Sequence, residues 1–138
     1  MAIDQNWLPT ENNISDYLLL EELLSAQKQE FDILSKKKSD GQLNKMKMMM
    51  ANRVLAPIKE ILKNEPSYGF LDILNEDDMP TNSDLVLIIS QYEKAMSNFR
   101  EKYFLIDRLN IDKYGDAQAR WSTKENPVQE TEEEEDDE

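Results

Sequence analysis

The 138-residue chain has no cysteine, no histidine and only three glycines. Without cysteine there is no disulfide and no thiolate nucleophile. Without histidine the Ser-His-Asp and Cys-His systems are excluded, as are the usual zinc sites and imidazole acid–base chemistry. Three scattered glycines cannot build a Gly-rich phosphate loop. No apolar run approaches the roughly 18 residues of a membrane span. The opening MAIDQNWLPTENN lacks the charged-then-apolar pattern of a secretory signal. The expectation is an intracellular, cytoplasmic protein (a nuclear one is also compatible) that has no cofactor and is not an enzyme.

The carboxylates do not change this. Glu21 and Glu22 are neighbours, and adjacent residues on a helix point about 100° apart, so they do not converge on one proton or metal. A ferritin-like centre needs Glu-x-x-His pairs, which the absence of histidine removes. Glu76, Asp77, Asp78 and Asp84 crowd one loop. Their spacing is not that of an EF-hand, and its glycine and distal glutamate are missing. The loop reads as capped and solvated.

What is present is charge, unevenly placed. The formal net charge is −13. Residues 125–138 hold nine of the 29 acids and none of the 16 bases. A stretch so polar and acidic cannot bury enough apolar area to offset its ordering entropy, so it is expected to be a disordered tail. Residues 28–63 carry nine bases against four acids, and residues 64–93 carry seven acids and no base.

The apolar pattern is helical throughout, and the expected fold is all-α: a small antiparallel three-helix bundle. Its long helices are placed at about 15–38, 42–63 and 83–114, with a short connecting helix near 68–74. Residues 1–14 form an irregular arm, 15–115 the bundle, and 116–138 a loose segment and tail. The first helix is capped by Ser15, with Ile14 and Leu19 as a hydrophobic staple. The second reads LNKMKMMMANRVLAPIKEIL and is the broadest in apolar arc. Met46, Met50, Val54, Pro57, Ile58, Ile61 and Leu62 share one side, with Met48, Ala51 and Leu55 beyond them; Asn52 falls opposite. Pro57 predicts a kink or break near Ala56. An arc this wide suggests a helix sandwiched between the other two, or covered by a second molecule. In the third, Leu85, Ile89, Tyr92, Met96, Phe99, Tyr103 and Ile106 make a heptad seam. The run LVLII alone would suit a strand, but its continuation at helical spacing favours helix. Thr81 to Asp84 supply cap material and Gly115 a stop.

These features point to a non-enzymatic protein–protein interaction module, a small helical adaptor or regulatory subunit of a larger complex. The partner would be another protein, one with a basic surface if the tail takes part, and a homo-oligomer is a further way to cover the second helix. Candidate partner-binding residues are Trp7, Met48, Met49 and Trp121, with the acids Glu132, Glu133, Glu134, Glu135, Asp136 and Asp137. Each tryptophan can instead pack on its own domain, and the methionines can simply fill core gaps. The alternative is an acidic decoy or chaperone occupying a basic or nucleic-acid-binding surface, with a nucleic-acid-mimicking anti-defence inhibitor as a special case. Direct nucleic-acid binding through the lysines of residues 28–63 runs against the overall acidity.

Overall fold

The computed structural model describes residues 4 and 6–129. Three helices come first: α1 (Glu11–Lys37), α2 (Lys45–Ile61) and α3 (Asn82–Tyr103). An antiparallel hairpin of β1 (Phe104–Ile111) and β2 (Ala117–Trp121) follows. The fold is therefore mixed, not all-α. The heptad seam holds from Leu85 to Tyr103, every member of which is buried, and stops there: Ile106 is 61% exposed. Beyond Tyr103 the chain turns back through Asp112–Asp116. The Asp112 carboxylate accepts from the backbone N–H of Tyr114 and Asp116, and Gly115 adopts φ +85°. Gly115 is thus the left-handed residue of a hairpin turn rather than a helix stop.

The helix ends follow from their caps. Helix α1 begins earlier than Ser15 because Thr10 and Asn13 form a reciprocal capping box just after Pro9. Helix α3 begins on the same device, Thr81 with Asp84. Helix α2 is capped by Asn44 and runs through Pro57 without a break. Arg53, whose carbonyl loses its helical donor there, and Pro57 are both exposed, so water can supply the bond.

Helix α1 is the one that runs closely beside both others, so it takes the central place expected of α2. Residues 71–75 bridge α2 and α3 in extended form, where a connecting helix was expected, with short 3₁₀ turns on either side at Pro66–Phe70 and Glu76–Asp78. Asn52, expected on the solvent side, is half-buried and pins this bridge. Its Nδ2 donates to the Leu74 carbonyl and its Oδ1 accepts from the Leu74 N–H, both at 2.9 Å. On the other side the Tyr92 hydroxyl donates to the Asp72 carbonyl. Leu71 and Leu74 are thereby seated in the core. Where α2 and α3 begin, the α1–α2 turn is tied to the start of α3. Leu43 N–H donates to Pro80, Asn82 N–H to Gly41, and the Asn82 amide to Lys38.

Removing the Asn52 side chain leaves two backbone groups of Leu74 without partners, each costing about 1–3 kcal/mol when desolvated. Asn52→Ala should therefore lower unfolding stability in urea by at least about 1 kcal/mol. An unchanged urea midpoint would show that the bridge is not held there.

Candidate protein-docking surfaces

At the hairpin end the core is aromatic. Tyr17 stacks on Phe99 at 5.2 Å, and Trp121 meets Tyr17 edge-on at 5.2 Å. Phe99 continues to Tyr103 at 4.8 Å, and Trp7 lies edge-on to Tyr103 at 5.6 Å. Both tryptophans are half-buried and packed against this cluster. The Arg100 guanidinium sits 5.2 Å from the Trp121 ring centre and pairs with Glu21 at 3.0 Å. Met48 is part of the core and Met49 is exposed. Both line a shallow depression of about 170 Å³ with Asn52 and Leu74. The acids Glu132, Glu133, Glu134, Glu135, Asp136 and Asp137 lie outside the described residues.

Three phenols are fixed as neutral donors. Burial, with Glu21 nearby, pushes Tyr17 up to about 12, and its hydroxyl donates to the Met96 carbonyl at 2.7 Å. Burial likewise raises Tyr92, and it raises Tyr103, whose hydroxyl donates to the buried Glu65 carboxylate at 2.9 Å. Each is already committed to an acceptor in the core, which suits a structural role. Among the described residues, no three Asp or Glu side chains gather into a set able to hold a metal.

Two surfaces stand out instead. The first is the hairpin. Its strands pair from Phe104–Trp121 to Asp107–Gln118, then the register shifts before Ile111–Ala117. Beyond that irregularity the ribbon presents apolar side chains to solvent: Leu109 is 82% exposed, Tyr114 76% and Ile111 51%. The second is the outer face of α1 and α2. Leu19 and Leu23 on α1, and Met46 and Met50 on α2, are exposed. This face has two open recesses, one of about 560 Å³ at the Trp7 end and one of about 310 Å³ at the Phe31 end. In the second recess Gln27 donates to the Met50 carbonyl, while its Oε1 is buried with no partner among the described residues.

The base of the hairpin is fixed by Arg120, a residue the periodicity did not single out. Its Nε meets Asp107 Oδ2 at 2.7 Å, and its terminal nitrogens donate to the carbonyls of Asn126 and Pro127. Residues 122–129 are held as a strap by further contacts. Val128 N–H donates to the Ser122 hydroxyl, Lys124 N–H to the Pro9 carbonyl, and the Glu125 carboxylate accepts from the Glu11 N–H. An acid at the first turn of α1 also suits the helix dipole.

No family model, curated protein or solved structure matches the chain.

The hydrogen bond from Arg120, aided by the Leu109 N–H, holds the Asp107 carboxyl below its ordinary value of 3.8. A depressed carboxylate stabilises the fold above its ordinary value, and this contribution is lost as pH falls through the depressed one. The amide protection of Val128 should therefore be flat above about pH 4 and fall only below it. Asp107→Asn should show reduced protection already at neutral pH. Protection that falls between pH 7 and 5 would contradict the assignment to Asp107.

Proposed function

We propose that the chain is a non-enzymatic protein–protein interaction module, a small, mostly helical adaptor or regulatory subunit that works within a larger complex. The observation that carries this reading is the exposed apolar ribbon beyond Asp107. A two-stranded hairpin is marginal by itself. Here the strand bases are locked to the body by Arg120, while Leu109, Ile111 and Tyr114 contribute nothing to the core. Each large side chain left in water forgoes about 1.5–3 kcal/mol that burial against a partner would supply. The ribbon also offers two open strand edges, onto which an extended partner segment can add with main-chain hydrogen bonds. The partner is thus another protein with an apolar patch or a strand to donate. The acidic-decoy reading lacks comparable support, since all but one of the acids in the 125–138 run lie outside the described residues.

Comparing two altered chains with the original in pull-downs from native extract tests this. Leu109→Ser with Tyr114→Ser should abolish recovery of the partner while leaving the unfolding midpoint unchanged. A chain ending at Gln129 should still recover it, because the strap through Val128 is retained. Recovery that survives the double substitution but is lost with residues 130–138 would favour the acidic-decoy reading instead.

A further inference from the structure

We propose that the chain also pairs with a second copy of itself through the outer face of α1 and α2, about a two-fold axis running along the helices. The face carries large apolar side chains along its length, and no other described residue covers them. Leu19 and Leu23 on α1 and Met46, Met50 and Pro57 on α2 are all exposed. On α2 the apolar members stand at 46, 50 and 57, and Arg53 sits between them in the four-three spacing that lines one side of a helix. The patch from residue 19 to 34 is about 22 Å long and two helices wide, near the lower limit for a stable interface. A reversible dimer is therefore expected rather than an obligate one.

Charge identifies the occupant. The charged residues of α1 that line the two recesses are acidic, Asp16 and Glu30. Lys47 lines the second from α2, and Arg53 lies on the same side of that helix; Glu60 and Lys63 neutralise each other at 3.0 Å. Asp16, Glu30, Lys47 and Arg53 have no ion pair among the described residues. The complementary surface must place bases over α1 and acids over α2. The molecule's own face does so when turned about an axis parallel to the helices, since α1 then lies on α2 of the second copy. The Gln27–Met50 bond sets the levels: counting equal steps along the antiparallel helices puts Glu30 level with Lys47. In the dimer each Glu30 meets the other copy's Lys47, and the two faces stack as two layers of two helices, each helix antiparallel to the one it lies on. The other two-fold, across the helices, would lay α1 on α1 and bring Asp16 towards Glu30, acid on acid.

Sedimentation equilibrium of the full chain over a range of concentration tests the pairing. The wild type should dimerise reversibly, and more weakly as salt is added. Glu30→Lys and Lys47→Glu should each weaken the dimer roughly tenfold, because two contacts per dimer turn repulsive. The double exchange should restore it to within about twofold. The Leu109→Ser, Tyr114→Ser chain should dimerise as the wild type does, which separates this face from the hairpin. A monomer at every concentration would overturn the proposal. So would a dimer indifferent to the single exchanges, one not restored by the double exchange, or one lost with the hairpin substitutions; an unrelated helix would then be the better occupant of this face.

Discussion

The contact between Arg120 and Asp107 determines where the described chain can go beyond α3. Arg120 lies on β2 and Asp107 on β1, so their 2.7 Å bond closes the ribbon near its base. The same guanidinium takes the carbonyls of Asn126 and Pro127, which turns the chain back towards the helices. From there Lys124 and Glu125 reach the start of α1, next to the Thr10 cap. One side chain thus links hairpin, strap and first helix. A lysine could not reproduce this, because it lacks the planar fork that serves one carboxylate and two carbonyls at once.

The aromatic cluster adds to this lock. Trp121 closes β2 and enters the core beside Tyr17 and Phe99. Trp7 covers Tyr103 from the other side, with the Lys124 ammonium 5.9 Å from its ring centre. Fixed in this way, the hairpin has a firm base and an outer half that no other described residue covers. That combination suits docking: a rigid platform limits the entropy lost on binding, while the free apolar side chains supply the contact. The α1–α2 face is a separate surface of different chemistry, with large apolar side chains along its length and opposite charge on its two sides.

Much of the helical framework was legible because its signals are local. The seam from Leu85 to Tyr103 repeats at helical spacing and is buried as expected. Thr81 and Asp84 announce the start of α3 as a capping box. The hairpin was not legible by the same means. In FLIDRLNI the apolar residues Leu105 and Leu109 sit four apart, which extends the helical spacing past Tyr103. The deciding signal was the turn DKYGD, where Asp112 and Gly115 supply hairpin chemistry. The partner strand AQARW has almost no strand character of its own and is ordered by Trp121 and Arg120, two tertiary contacts that a window of sequence does not contain. Asn52 was missed for a similar reason. On a wheel it lies opposite the apolar arc, and only the path of residues 71–75 brings a backbone to it.

The central claim is that the outer half of the hairpin is a docking surface for another protein. A photo-cross-linking residue placed at position 109, and separately at the exposed position 87 on α3, measures this directly in the native cell. The account predicts a discrete adduct with one other protein from position 109 and none from position 87. The same adducts from both positions, or an adduct from position 87 alone, would contradict it.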